Sequence, residues 1–507
     1  MRRIKKILTN RIVLVALLLL LQFALFALLI YSAGSRSIII SISLNIISVL
    51  VVLYIINRRD KPAYKITWTA MILAFPLFGG LMYLFFKLQS SAGTFRKLQA
   101  HYEEEGKKYL HQDEDVLRAS LEKLERYSVN INYLHGTAGF PVYDNTEITY
   151  LTPGEEFFEH LLVELEKAER FIFIEVFIVD KGKMWDEILD ILERKAAQGV
   201  DVRLIYDDIG SIFNLPKGYE KTLEAKGVKT TVFNPFIPFW NSVQNNRNHR
   251  KIIVIDGKAA YTGGANLCDE YINAVQRFGH WKDAMVCLRG DAIYSMTVFF
   301  LLMWNALRKT DEDYSLYKYD FPRISSGVYV QPYADTPLDN ENVGEHVYLQ
   351  IINAAKEYLY IQTPYLIPDD NLITALTLAA KSGVDVRIIF PHTPDKWLVY
   401  MTGRSYFPQL IESGVKIYEY TPGFIHSKVF VSDDRISTVG TVNLDFRSLF
   451  LHYECGTVIY DGETADIIKK DFEETLGSCR LIAKEEVTKN LPGRMLQAAL
   501  RLVAPLM

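Results

Sequence analysis

The chain has 507 residues, 49% hydrophobic and 23% charged, with a formal net charge of −4 at pH 7. That balance excludes a disordered or low-complexity chain, and a protein that holds nucleic acid by global positive charge. The 4 cysteines, Cys268, Cys287, Cys455 and Cys479, form no CxxC pair, which excludes a disulfide scaffold and a cysteine-based zinc finger.

Most of the apolar excess sits in residues 1–90, which read as a membrane anchor. Segments 12–31 and 38–56 carry no charge, nor does 68–86, which is interrupted by Pro76 and by Gly79 and Gly80. At ~1.5 Å of helix per residue each can just cross a ~30 Å hydrocarbon core, so three transmembrane helices are predicted. The first run is longer than the apolar core of a cleaved signal peptide and reads as a retained anchor. Arg2, Arg3, Lys5, Lys6 and Arg11 precede it, Arg36 alone lies in the next loop, and Arg58, Arg59, Lys61 and Lys65 follow the second run. The positive-inside rule then puts the N-terminus and the 57–67 loop in the cytoplasm. A full third crossing would place the rest of the chain outside; a re-entrant one would place it inside. Residues 91–135 turn strongly charged and read as a helical linker.

The remainder is a duplication. Segment 168–174 is matched by 355–361, 199–205 by 383–389, and Gly227-Val228-Lys229 by Gly414-Val415-Lys416. Each copy alternates helical runs with apolar strands, which predicts an α/β fold of two mixed sheets with helical cover, one in 136–320 and one in 321–485. So long a period marks a duplicated domain rather than a solenoid. Residues 486–507 close the chain as an amphipathic helix, with Met495, Ala499 and Leu502 on one face and Arg494 and Arg501 on another, suited to a lipid interface. Segment 233–240 is too rich in proline for a sheet interior and heavily aromatic, and is expected to dip into the lipid boundary.

The most specific part of the repeat is polar. His249, Lys251 and Asp256, followed by Asn266, return at one constant offset as His426, Lys428 and Asp433, followed by Asn443. In a strand, residues two apart share a face, so each histidine projects beside its lysine. Two imidazoles, two ammonium groups and two amides suit a phosphate: the lysines neutralise its oxygens and Asn266 and Asn443 donate hydrogen bonds to them. One neutral histidine can attack phosphorus while the other, protonated, serves the leaving alcohol. No carboxylate cluster suggests a magnesium site, and no metal is expected. Asp256 and Asp433, in turns and at odd separation from the lysines, read as hairpin or salt-bridge residues. Asp283 and Glu454, downstream of the two histidines, are better placed to orient the imidazoles.

With this duplicated HxKxxxxD motif the chain resembles the phospholipase D superfamily, and within it the bacterial cardiolipin synthases. Segments 247–251, 261–266 and 438–448, together with 206–211 and Thr363-Pro364-Tyr365, carry the resemblance. It implies two phospholipase D-like domains behind a multi-pass anchor in the bacterial plasma membrane. It also implies transfer of a phosphatidyl group between two phosphatidylglycerol molecules, giving cardiolipin and glycerol through a phosphatidyl-histidine, without metal or cofactor. By the same resemblance His249 is the nucleophile, His426 the general acid, and Asp256 and Asp433 belong to the active-site signature. A membrane-anchored hydrolytic phospholipase D is the nearest alternative. A superfamily nuclease or a non-catalytic scaffold fits less well, and no nucleic-acid partner is expected.

Overall fold

A computed structural model describes residues 35–87, 91–235, 245–324, 327–339, 341–487 and 490–507. The chain divides into two compact units, one of 96–235 with 246–497, the other holding the described parts of 1–95 with Asn245 and 498–507.

In the smaller unit, a helix of 22 residues, Ser35–Ile56, is followed by Pro62–Ala74 and Pro76–Lys87. The expected span at 68–86 is therefore not one helix. Pro76 lacks a backbone N–H and disfavours helical backbone at Phe75, which sits at φ −136° and ψ 77°. The two pieces have 13 and 12 residues, about 20 Å each at ~1.5 Å per residue and short of a bilayer core. They fold back on each other, with the Trp68 and Tyr83 rings edge-on at 5.4 Å. A Cβ on Gly79 would stand 2.6 Å from the Met71 carbonyl oxygen, so only glycine permits the approach. Ile55, Trp68, Ile72, Phe78, Met82 and Tyr83 form the local core.

Among the described residues no helix is long and apolar enough to cross a membrane. The helix Ser35–Ile56 exposes Ile42, Ile46, Ile47, Leu50 and Leu53. The expected span at 68–86 is broken at Pro76, the one at 38–56 falls within the helix Ser35–Ile56, and the one at 12–31 lies outside the described residues. The aromatic loop, from residue 236 on, also lies outside them.

In the larger unit the duplication is visible strand by strand. The first sheet runs β1 (Thr146–Leu151), β9 (Met285–Gly290), β7 (Ala259–Gly263), β6 (Ile252–Ile255), β2 (Phe171–Val176), β3 (Asp201–Asp207), β4 (Lys229–Phe233). The second repeats that order as β10 (Tyr329–Asp335), β17 (His452–Tyr460), β16 (Ile436–Gly440), β15 (Val429–Ser432), β11 (Tyr358–Gln362), β12 (Asp385–Pro391), β13 (Lys416–Tyr420), and adds β18 (Cys479–Leu481) at its edge. In both, the βαβ crossovers make β2–β3–β4 and β11–β12–β13 parallel, while the hairpin side is antiparallel. Central strands such as β2 and β11 are buried along their whole length, which is why they read as continuous apolar runs. Helices Lys183–Ala197 and Asp370–Lys381 occupy equivalent crossovers.

Two short pairings join the halves, and both position the site. β5 (Arg247–Asn248) lies parallel to the start of β17, and β14 (Gly423–Ile425) lies parallel to β8 (His280–Lys282). Each motif histidine is thereby entered from a strand tied to the opposite half. Segment 91–135, expected as a surface linker, is built into the second half from Gln99 on, whose buried side chain donates to Thr336 and accepts from Tyr453. Tyr127, Ile131 and Leu134 are buried, and Arg126 pairs with Asp433. The C-terminal helix, Leu491–Val503, exposes Leu491, Met495 and Leu496 while Leu500 is buried.

Candidate active site

The approach to His249 is fixed by a buried ion pair. The Arg247 guanidinium donates to Asp207 at 2.7 and 3.0 Å, and the Asn248 amide nitrogen donates to the same carboxylate at 3.0 Å. Removing either charged partner would strand a buried charge, at a cost of about 3–5 kcal/mol. Asn248 also donates its side-chain amide to Glu175 at 2.6 Å. This explains why Asp207 and Arg247-Asn248, remote in sequence, both look distinctive.

Beyond these anchors the two motifs meet. His249 Nδ1 lies 3.0 Å from Glu454 Oε2, and His426 Nδ1 lies 2.7 Å from Asp283 Oδ2. Each of the two carboxylates the sequence offers for this purpose contacts an imidazole, in crossed fashion: each histidine meets the carboxylate of the other half. The backbone shows why. His249 N donates to Tyr453 O at 2.9 Å and His426 N to Lys282 O at 2.7 Å, so each histidine sits beside the residue preceding its partner acid. An imidazole that donates from Nδ1 keeps its lone pair on Nε2, the atom needed for attack or for proton exchange.

Lys251 and Lys428 are fully buried; Lys251 Nζ donates to His249 O at 2.7 Å, and Lys428 donates to His426 O. Burial, then the neighbouring cations, pushes His249 well below the ordinary imidazole value. Burial and Lys428 bring His426 down to about 4, with Asp283 opposing them. Burial likewise lowers Lys251 to about 8 and Lys428 to about 7. Burial alone would raise the Asp283 carboxyl, yet His426 and Lys428 hold it below the usual range. Four potential cations facing one another repel; a phosphodiester anion among them would reverse that field and raise all four pKa values.

The motif aspartates lie elsewhere. Asp256 accepts from the amide nitrogens of Glu169, Arg170 and Phe171 at 2.7–2.8 Å, and Asp433 from those of Lys356, Glu357 and Tyr358 at 2.8–3.0 Å. Both sit at positive φ in their hairpin turns, and each clamps the start of the neighbouring central strand. Asn266 is spent as well: Oδ1 accepts from Ile178 N at 3.1 Å, and Nδ2 donates to the Tyr271 hydroxyl at 2.6 Å. Asn443 differs, its Oδ1 being buried without a hydrogen-bond partner. A Cβ on Gly264 would stand 1.9 Å from Asp283 Oδ1, so that glycine makes room for the orienting carboxylate.

Several neighbours escaped the sequence reading. Tyr271, Trp281 and Phe424 surround His426 with ring centroids at 5.3, 5.1 and 5.9 Å, whereas Phe177 and His452 flank His249 at 5.2 and 5.6 Å. Thr441 Oγ1 donates to Glu454 Oε2. Thr441 follows Gly440 as Gly264 follows Gly263, and His452 stands two residues before Glu454 on one strand face; both signals were in the sequence. Ligand atoms of His249, His452 and Glu454 lie within 4.8 Å of one another. Arg447 Nε, 3.3 Å from His452 Nε2, and the two buried lysines surround that spot with positive charge, so we assign no metal to it.

Comparison with known proteins supplies the family. A family model described as cardiolipin synthase, PLD-like domain, matches residues 161–276 and 348–476, and a phospholipase D-nuclease N-terminal model matches 44–87. A cardiolipin synthase of Halalkalibacterium halodurans is 35% identical over 94% of each chain, and one from a Geobacillus species is 36% identical over 94% of each. The chain belongs to the cardiolipin synthase, phospholipase D-like family. An uncharacterized protein of Streptococcus mutans is 44% identical over 90% of this chain and 99% of its own. In fold, the chain is similar to a phosphatidylserine synthase of Haemophilus influenzae at a TM-score of 0.58 and 17% identity, covering 76% of this chain and 99% of that one.

Proposed function

We propose that this member of the family transfers a phosphatidyl group from one phosphatidylglycerol to a second, producing cardiolipin and glycerol. The observation that carries this reading is the facing pair of imidazoles, each backed by a carboxylate and accompanied by a buried lysine. In the first half-reaction His249 Nε2 attacks phosphorus, the N–P bond forms, and the P–O bond to glycerol breaks. His426, protonated once the substrate anion has raised its pKa, gives its proton to the leaving oxygen. In the second, the terminal hydroxyl of another phosphatidylglycerol attacks phosphorus while His426 takes its proton, and the N–P bond breaks. Lys251, Lys428 and the Asn443 amide would hold the phosphoryl oxygens. One phosphodiester replaces another, so the reaction draws on no nucleotide.

Action at a bilayer fits two exposed aromatic residues, one beyond each equivalent strand. Phe213, after β3, is 96% exposed, and Trp397, after β12, is 64% exposed. Other residues of the same two segments reach toward the catalytic groups. Gly210 packs on Phe177, the neighbour of His249, and Lys396 lies over Tyr365, which contacts Phe424 beside His426. The exposed isoleucines of Ser35–Ile56 would serve membrane attachment. Purified protein given phosphatidylglycerol alone should yield cardiolipin. Phosphatidic acid as the only product would make water the acceptor and the enzyme a hydrolytic phospholipase D.

A further inference from the structure

We propose that His452 is a positioning residue for the nucleophile half of the site, donating from Nδ1 to the second oxygen of Glu454 and so holding that carboxylate square to His249. This rests on the catalytic reading above and adds a group to it. His452 Nδ1 and Glu454 Oε1 are both buried, both lack a hydrogen-bond partner, and stand 3.7 Å apart. Chemistry settles which of them donates. Arg447 can only donate, and its Nε lies 3.3 Å from His452 Nε2, so Nε2 carries the lone pair and the ring proton sits on Nδ1. That proton faces an acceptor oxygen, and a shift of under ~1 Å closes the pair to hydrogen-bond distance.

Glu454 would then be held on three sides: by His249 at Oε2, by Thr441 at the same oxygen, and by His452 at Oε1. Its equivalent is held differently. Asp283 Oδ1 accepts from the Ala284 amide nitrogen at 2.8 Å, a rigid main-chain donor. His452 thus supplies from a side chain what the other half obtains from backbone. The charged and titratable groups around the pair are Arg447 on His452, and Lys251, Lys428, His426 and Lys396 around His249. A metal ion on the same donors would have to displace the His249–Glu454 hydrogen bond amid that positive charge.

The test compares His452→Asn, which keeps a donor, with His452→Leu, which does not. The Leu variant should lose about 10–100-fold in kcat, the usual range for a lost partner of a functional ligand, with KM nearly unchanged. The Asn variant should recover most of that loss. ¹⁵N-histidine NMR of the intact protein gives a readout that does not depend on turnover. In the Leu variant the His249 ring should show a mixture of tautomers instead of the Nδ1–H form, while His426 stays as in wild type. A folded Leu variant with wild-type kcat and an unchanged His249 signal would overturn the proposal, as would an Asn variant as impaired as Leu. Stoichiometric metal retained by wild type and lost from both variants would replace the hydrogen bond by coordination and overturn it too. If His249→Ala kept full turnover, the catalytic reading would fail instead, whatever His452 did.

Discussion

The two halves of the site share a motif and differ in what surrounds it. His426 lies among Tyr271, Trp281 and Phe424 with Asp283 at 2.7 Å, and that carboxylate works against the fall in its pKa. His249 lies between Phe177 and His452, and every leading influence on it pushes its pKa down. A duplicated sequence can therefore supply two imidazoles that do different jobs. The one more readily protonated suits acid–base work, and the one held neutral suits attack.

The largest effects should come from the imidazoles themselves. His249→Ala and His426→Ala should each lower cardiolipin formation by at least about 10³-fold, measured with phosphatidylglycerol in mixed micelles. The halves should then separate by step. His249→Ala blocks formation of the phosphoenzyme outright. A substrate whose leaving group needs no proton, such as a nitrophenyl ester, should restore some phosphoenzyme formation to the His426→Ala variant. Equal rescue of both variants by that substrate would erase the distinction between the halves.

Next come the carboxylates and lysines. Glu454→Gln and Asp283→Asn should each cost on the order of 10²-fold in kcat. Because the pairing is crossed, Glu454→Gln should perturb the NMR signals of His249 and leave those of His426, and Asp283→Asn the reverse. The uncrossed pattern would contradict the geometry. Lys251→Met and Lys428→Met should each raise the barrier by about 3 kcal/mol, the scale of losing one preorganised charge at a transition state.

A smaller and different effect is expected at the motif aspartates. Asp256→Ala and Asp433→Ala remove a carboxylate from three backbone donors, so they should cost about 1–3 kcal/mol of stability, read by urea titration, with kcat per folded molecule nearly unchanged. Burial would raise the Asp433 carboxyl, but Tyr358, Lys356 and Glu357 backbone amides and Arg126 hold it below its ordinary value. Its stabilisation is therefore present at neutral pH and lost as pH falls through the folded-state value. The Asp433→Ala penalty should shrink in acid. Loss of kcat without loss of stability would place the aspartates in the chemistry after all.

The mildest change is expected at the surface. Phe213→Ser with Trp397→Ser should raise the apparent KM for lipid surface concentration by roughly two- to fivefold, with kcat retained. Unchanged surface-dilution kinetics would remove these residues from the lipid interface.

These comparisons also show where sequence is legible and where it is not. The duplication could be read because strand and helix periodicity recur with the same order of elements. The hairpin-turn placement of Asp256 and Asp433 is legible because a turn residue at odd spacing cannot share a face with the lysine, although the resemblance counts both in the active-site signature. The crossing of Asp283 and Glu454 could not. It depends on β5 joining β17 and β14 joining β8, pairings between segments far apart in the chain. Asn266 reads as a phosphate ligand because it repeats as Asn443, yet its amide is taken up by Ile178 and Tyr271. Hydropathy marked 68–86 as a span because it averages over Pro76, whereas the backbone breaks there.

The most direct test is to trap the covalent intermediate. Phosphatidylglycerol labelled in both its acyl chains and its headgroup, quenched at early times, should leave an acid-labile, base-stable adduct on His249 and release one labelled glycerol per adduct. An adduct on His426 and none on His249 would reverse the assignment of the two halves. Full turnover by a variant carrying both His249→Ala and His426→Ala would contradict the account altogether.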